Sequence, residues 1–296
     1  MTERLRASTA RRQGAVRLRE AGVASPERDA DLLLAHVLDV PLGRLPLVDD
    51  LGRDAREQYD ALLARRAARE PLQHLTGSAA FRHVELAVGP GVFVPRPETE
   101  LLAGWAIECA NLIAGRVAGE ERVGVSRPPV VVDLCTGSGA IARAVADEVP
   151  DAEVHAVELD EGALAWAERN LSGTGVDLRH GDLATAFEDL AGTVDVVVCN
   201  PPYIPLEAWE SVAAEARDHD PHLALFSGQD GLDAIRVLER RAAVLLRPGG
   251  VVGAEHADVQ GESAPGVFAA SGRWADVADH LDLAGRPRYL TARLAR

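Results

Sequence analysis

After Val130 the chain changes rhythm. Short runs rich in valine, at 130–135, 153–159, 176–181, 194–199 and 249–255, alternate with helix-length stretches near 139–148, 161–171, 230–246 and 257–270. Strands separated by segments of that length are joined by crossovers rather than hairpins, and successive crossovers generate parallel pairing. The pattern restricts this region to an α/β fold with a doubly wound, mostly parallel sheet. A last pair, about 275–283 and 287–294, reads as an antiparallel ribbon around Gly285.

The region before Val130 reads differently. Residues 1 to about 70 form helices. Ser25 stands as an N-cap before Pro26, and Ala30, Leu33, Leu34, Val37 and Leu38 fall on one helical face that Pro41 stops. Tyr59, Leu62, Leu63 and Ala67 mark a second stripe, flanked by Arg65, Arg66 and Arg69. Short strands at Phe81–Leu86 and Val92–Val94 are expected to pair around the turn Gly89-Pro90-Gly91. A helix then spans about 99–114, and a Gly-, Glu- and Arg-rich loop spans 115–128. The expected organisation is a helical domain over 1–75, a β-hairpin linker over 76–97, and a catalytic domain over 98–296.

Composition removes whole reaction classes. All 31 basic residues are Arg, so Schiff-base, pyridoxal-phosphate, P-loop kinase and Ser–Lys chemistry lack their amine. The net charge of −15 argues against a broad grip on DNA or RNA. Cys109, Cys135 and Cys199 are odd in number, lack metal-ligand spacing, and read as reduced buried thiols. His219 and His222 have Pro221 between them and no evident partner ligands, so no metal site is expected. No apolar run approaches the ~20 residues of a membrane span, and Met1-Thr2-Glu3-Arg4 leads into a charged helix rather than a signal-peptide core. A cytoplasmic protein is expected.

In doubly wound sheets, ligands bind beyond the carboxyl ends of the strands. The first strand there ends in Asp133-Leu134-Cys135-Thr136-Gly137-Ser138-Gly139, and a helix opens at Ala140. Glycines let the backbone approach a ligand closely, and the helix N-terminus offers unpaired N–H groups. The second strand ends at Glu158, whose carboxylate can accept from a ribose diol. Asp133 either joins this site or braces the loop. The third strand ends at Gly181-Asp182-Leu183, an acceptor for an adenine amino group with an apolar wall, or a turn cap. The fourth ends at Asn200-Pro201-Pro202-Tyr203. The Asn amide oxygen and the Pro201 carbonyl can both accept from one NH2 group. The prolines fix φ, and Tyr203 supplies an aromatic wall for a planar nitrogen.

These motifs resemble class I S-adenosylmethionine (SAM) methyltransferases, and Asn200-Pro201-Pro202-Tyr203 resembles the signature of enzymes that methylate amide or exocyclic nitrogens. Glu70-Pro71-Leu72-Gln73-His74-Leu75-Thr76-Gly77, Phe81 and Val94-Pro95-Arg96-Pro97-Glu98-Thr99-Glu100 look like the HemK/PrmC family of protein-glutamine N5-methyltransferases. So do Asp220–Leu225, Gly228–Leu232 and Glu255-His256, and the resemblance runs through essentially the whole chain. It implies a Rossmann-like SAM domain behind a helical domain that recognises the substrate protein. It implies transfer of a methyl group from SAM to the glutamine N5 of the Gly-Gly-Gln motif in class I peptide chain release factors. Carried across by motif, Cys135, Thr136, Gly137, Ser138, Gly139, Glu158, Asp182, Leu183 and Asn200 would bind SAM. Asn200, Pro201, Pro202 and Tyr203 would hold the glutamine and carry catalysis. Two positions depart from the pattern: many members have Gly at Cys135 and an aromatic at Leu183.

Other readings stand beside this one. A ribosomal-protein glutamine or a nucleic-acid adenine suits the same tetrapeptide, although the acidic balance disfavours DNA. A NAD-dependent oxidoreductase suits the Gly pattern and Glu158, but no hydride-transfer constellation accompanies them. The Arg-rich stretches 11–19 and 65–69 are expected as solvated faces, the alternative being a grip on the release factor or its RNA. Arg96 and Glu98 either stabilise the domain hinge or line the substrate cleft.

Overall fold

A computed structural model describes residues 5–115 and 127–295. The tetrapeptide 1–4 and nearly all of the loop expected at 115–128 lie outside the described residues. The chain folds as two units. One comprises residues 1–78, 88–90 and 213–219, and the other comprises the remainder.

The first unit is helical. Strand β1 (Leu5–Arg6) pairs antiparallel with β2 (Asp50–Leu51), and helices α1 (Ala7–Glu20), α2 (Pro26–Leu38), α3 (Arg53–Ala67) and α4 (Leu72–Thr76) surround a core of Leu18, Leu33, Leu34, Leu45 and Tyr59. The stripe on α2 packs inward as its spacing requires, with Ala30, Leu33 and Leu34 fully buried. Helix α2 ends before Pro41, on Asp39 in the left-handed region. Ser25 occupies the N-cap position, but its side chain makes no capping bond. Charge is built into this unit's interior. Arg66 is buried and donates to Asp29 at 2.8 Å and to Glu215 at 3.2 Å, and Arg69 donates to both Glu215 oxygens at 2.8 and 2.7 Å. The expectation that 65–69 is only a solvated face therefore fails at Arg66 and Arg69. The partner Glu215 lies on α8 (Ala214–His219), far along the sequence, where no helical pattern in α3 could announce it.

The second unit begins at Ala79, within β3 (Ser78–Phe81), which pairs with β4 (Val84–Ala87). The turn falls at Arg82, with φ of 49°, and not at Gly89-Pro90-Gly91. Val92 and Val94 are buried outside any strand. Alternating apolar residues there mimic a strand, while Pro90 and Pro95 remove the donors a ladder needs. Helix α5 (Thr99–Ile113) leads to a seven-stranded sheet whose strands are β5 (Val130–Leu134), β6 (Glu153–Glu158), β7 (Asp177–His180), β8 (Val194–Cys199), β9 (Leu246–Glu255), β10 (Trp274–Leu281) and β11 (Pro287–Leu294). Their order is β10-β11-β9-β8-β5-β6-β7. β5 to β9 are parallel, and β11 and β10 close one edge antiparallel. The crossovers include α6 (Ala140–Glu148), α7 (Glu161–Leu171), the short α9 (His222–Leu225), α10 (Asp233–Leu245) and α11 (Ser263–Ala270).

Every residue of β8 is buried, which explains its valine-rich reading; the one charged residue in it, Asp195, accepts from Arg127, Arg247 and the Val130 N–H. Helix α10 lays Ile235, Leu238, Ala242 and Leu245 against the same core, on one helical face. The expected helix at 257–270 is broken: a 3-10 turn at Asp258–Gln260 precedes α11. Of the three thiols only Cys199 is buried; Cys109 and Cys135 are half-buried.

Candidate active site

The sheet reverses its winding at β5, with β6 on one side and β8 on the other, and a crevice opens beyond strand ends at such a point. Leu134 pairs in register with Cys199. Residues 135–139 and 200–203 therefore leave the sheet side by side.

The glycine loop is held from beneath. Cys135, Gly137 and Gly139 have φ of 61°, 58° and 83°. Cys135 thus stands in a conformation that favours glycine and carries backbone strain of about 1 kcal/mol. Asp133 braces the loop: its Oδ2 accepts from the Thr136 hydroxyl at 2.6 Å and from the Ala142 N–H at 3.1 Å. Burial pushes the pKa of this carboxyl up to about 7, against the pull of those two donors. Its Oδ1 has no partner among the described residues. Asn170 ties the loop to the hairpin, donating to the carbonyls of Ser138 at 2.8 Å and Ala87 at 2.9 Å while accepting from the Ala87 N–H at 2.8 Å.

Glu158 accepts from the Gly137 N–H at 2.8 Å through one oxygen and from the Leu159 and Asp160 N–H groups at 2.9 Å through the other. A carboxylate so held stays oriented at the end of β6. Open space beside Gly137, where a Cβ would meet nothing within 4 Å, leaves room against the loop backbone. These features fit a nucleoside bound along the loop. Asp182 is exposed and caps its own turn through the Ala184 N–H at 2.8 Å, while Leu183 packs half-buried against the core.

The tetrapeptide sits over a buried hydrogen-bond chain. Asn200 Nδ2 donates to Thr99 Oγ1 at 3.2 Å, Thr99 Oγ1 donates to Glu255 Oε2 at 2.7 Å, and the Tyr203 hydroxyl donates to Glu255 Oε1 at 3.1 Å. Glu255 is 1% exposed, and burial raises its pKa above the ordinary carboxylate range. Burial also raises Tyr203, and its neighbour Glu255 raises it further, so its phenol stays protonated. Gln260 donates to the Tyr203 carbonyl at 3.0 Å. Ile204 bridges to Phe226 and fixes the exit of the loop.

Comparison with known proteins matches the geometry. Residues 9–77 match the family described as the PrmC N-terminal domain, and residues 131–219 match a methyltransferase domain. The chain is 59% identical over 283 residues to the release factor glutamine methyltransferase of Streptomyces coelicolor, covering 96% of each chain. It is 45% identical over 282 residues to the protein of the same name from Mycolicibacterium smegmatis, covering 94% of this chain and 95% of the other. It is also 43% identical over 256 residues to a 4-amino-L-phenylalanine/4-methylamino-L-phenylalanine methyltransferase of Streptomyces pristinaespiralis, covering 86% and 84%. The chain belongs to the release factor glutamine methyltransferase family.

In this member of the family, the residues named from sequence divide into two groups. The loop 135–139 with Glu158, and Asn200–Tyr203, stand at the ends of three neighbouring strands, β5, β6 and β8. Asp182 and Leu183 lie beyond the end of β7, at the strand that closes this edge of the sheet. Sequence pattern assigns no role to Thr99, Glu255 or Gln260, although Thr99 and Glu255 stand within the family motifs. Their signal is the juxtaposition of a fully buried carboxylate with two hydroxyls, which only the fold reveals. Arg96 donates to Asp220 at 2.8 Å and lies over the Phe93 ring, which places it in the wall of the second unit. Asp220 is buried, and burial pushes its pKa up to about 6 despite Arg96. His222 packs against Trp209 and Phe226. Burial pushes the Cys199 thiol well up, with Cys135 adding to it, which suits a small core residue and not a nucleophile.

Proposed function

We propose that this enzyme transfers the methyl group of SAM to the side-chain amide nitrogen of the glutamine in the Gly-Gly-Gln motif of class I peptide chain release factors. The observation that carries the reading is the pairing of Leu134 with Cys199, which sets Asn200-Pro201-Pro202-Tyr203 beside the glycine loop. The 59% identity to a release factor glutamine methyltransferase over nearly the full chain supports the acceptor.

SAM supplies an electrophilic methyl on a sulfonium. The loop 135–139 would hold its methionine and ribose portions through backbone groups, with Glu158 accepting from the ribose diol and Asp182 and Leu183 meeting the adenine. The acceptor is the harder problem. An amide nitrogen is a weak nucleophile because its lone pair is delocalised into the carbonyl. Asn200 Oδ1 and the Pro201 carbonyl would accept the two N–H bonds of the glutamine amide and aim its nitrogen along the S–CH3 axis. Two acceptors oppose planarity of the amide and stabilise positive charge as it grows on nitrogen. The methylated nitrogen is acidic and releases its proton late, so no residue need act as a dedicated base. Release factors act in the cytosol, and we place the enzyme there; no described helix is long and apolar enough to cross a membrane.

The relative named for 4-amino-L-phenylalanine supports a second reading, a small-molecule amine acceptor, because Asn200 Oδ1 and the Pro201 carbonyl would accept equally from another planar NH2. One experiment separates the two. A purified release factor is incubated with the enzyme and SAM, with and without excess 4-aminophenylalanine, and the Gly-Gly-Gln peptide is weighed. A gain of one methyl, about 14 Da, on the peptide supports the proposal. An unmodified peptide with methylated 4-aminophenylalanine overturns it.

A further inference from the structure

We propose that Thr99 and Glu255 are positioning residues that decide which end of the Asn200 carboxamide faces the acceptor nitrogen. The inference rests on the methyl-transfer reading, in which Asn200 must present an oxygen.

A carboxamide is nearly symmetric in shape, with oxygen and NH2 at its two ends. Flipped by half a turn, Asn200 would offer N–H groups to the N–H groups of its substrate and would repel it. Something must define the orientation, and the hydrogen-bond chain does. Glu255 receives two hydroxyls, Thr99 at 2.7 Å on Oε2 and Tyr203 at 3.1 Å on Oε1. Each Glu255 oxygen accepts from one of them, so both hydroxyl protons point at the carboxyl group. Thr99 has a single proton, and Glu255 takes it. Toward Asn200 the Thr99 oxygen can then only accept, and the atom it meets at 3.2 Å must be the NH2 end. Asn200 Oδ1 is left as the acceptor at the other end. The chain of directions runs one way, from the acceptor oxygen of Glu255 through Thr99 to Asn200.

The groups around Glu255 keep that sense. Arg288 on β11 bears on both Glu255 and Tyr203 and favours the carboxylate, while Glu98 at the start of α5 opposes it. Thr99 is 4% exposed and Glu255 1% exposed, so water cannot stand in for either partner. Tyr203 keeps its proton and donates it in a hydrogen bond to Glu255, which anchors the hydroxyl end of the ring. A protonated or amide-bearing side chain at 255 would have to turn a donor toward Thr99 or Tyr203 and reverse one of the two directions.

The test uses the full chain in three forms beside wild type: Thr99→Val, which keeps the shape and loses the oxygen, Thr99→Ser, and Glu255→Gln. Methylation of the release factor peptide gives kcat, calorimetry gives SAM affinity, and thermal unfolding reports on folding. The expected result is a fall in kcat of about 100-fold for Thr99→Val and Glu255→Gln, with SAM affinity unchanged and Thr99→Ser close to wild type. Wild-type kcat in a folded Thr99→Val or Glu255→Gln, or a loss of SAM affinity in step with the rate, would overturn the proposal. A further readout needs neither acceptor nor variants. In isotope-labelled wild-type enzyme, the side-chain amide protons of Asn200 should show a nuclear Overhauser contact to the Thr99 methyl and slow exchange. Absence of both overturns the assignment even if the acceptor proves to be something other than a release factor.

Discussion

Leu134 and Cys199 face each other in register across β5 and β8, one residue before the glycine loop and one before Asn200. The loops proposed to hold the donor and the acceptor thereby start from the same rung of a rigid sheet. Both strands are almost wholly buried, so this rung is among the least mobile parts of the chain.

Asn200→Ala removes the acceptor side chain without touching the loop at 135–139. We expect kcat for peptide methylation to fall about 100-fold while SAM affinity holds. Single-turnover rates and calorimetry on the same preparation check the split. A variant that lost affinity as far as rate would move Asn200 from the acceptor to the donor side of the crevice.

Glu158→Gln tests the opposite wall. Three backbone N–H groups converge on the carboxylate, and glutamine offers one acceptor oxygen in place of two. One end would turn an NH2 toward N–H groups. A charged hydrogen bond lost here is worth about 1.5–3 kcal/mol, so SAM binding should weaken by about tenfold or more. Titration calorimetry measures it, and wild-type affinity would remove Glu158 from the site.

Much of this geometry is legible in the chain itself, because periodicity reports burial and burial is what a sheet core consists of. The ranges read for β8 and α7, 194–199 and 161–171, coincide with the observed elements. The misreadings share a cause. Turn-forming residues at Gly89-Pro90-Gly91 point to a hairpin there, yet the chain turns at Arg82, whose guanidinium is held by Glu148 at 2.5 and 2.7 Å. The inward pairing of Arg66, and the hydroxyl pair on Glu255, likewise depend on residues distant in sequence, and local pattern carries no trace of them.

Gly231→Ala probes the support behind the tetrapeptide. A Cβ there would lie 2.3 Å from the Tyr203 carbonyl oxygen and 2.7 Å from Gln260 Nε2, with φ at +76°. The first neighbour is backbone and cannot swing aside. Strain in the left-handed region together with overpacking should cost about 2 kcal/mol or more. The relief open to the structure is to displace Tyr203. Chemical denaturation should show the loss of stability, and kcat should drop with it. Unchanged stability together with unchanged kcat would mean that Gly231 does not support Tyr203.

The helical unit carries its own pH dependence. Glu215 accepts from Arg66 and Arg69, and those partners outweigh burial and hold its pKa down from an ordinary value of 4.5 to about 2. A carboxyl whose pKa is depressed in the folded state stabilises that state wherever it is ionised in both forms. The contribution of Glu215 is therefore complete above about pH 4.5. It declines as acid carries the solution below that value, and it is gone near pH 2. Glu215→Gln should lower stability at neutral pH and flatten the fall between those limits, since the variant has nothing left to protonate. Arg66 would then remain buried with only Asp29 as its charged partner, at 2.8 Å. Denaturant midpoints for both proteins across that pH range measure the difference directly. Parallel curves, with no narrowing of the gap as the solution is acidified, would show that the ion pairs of α3 with α8 contribute nothing to folding.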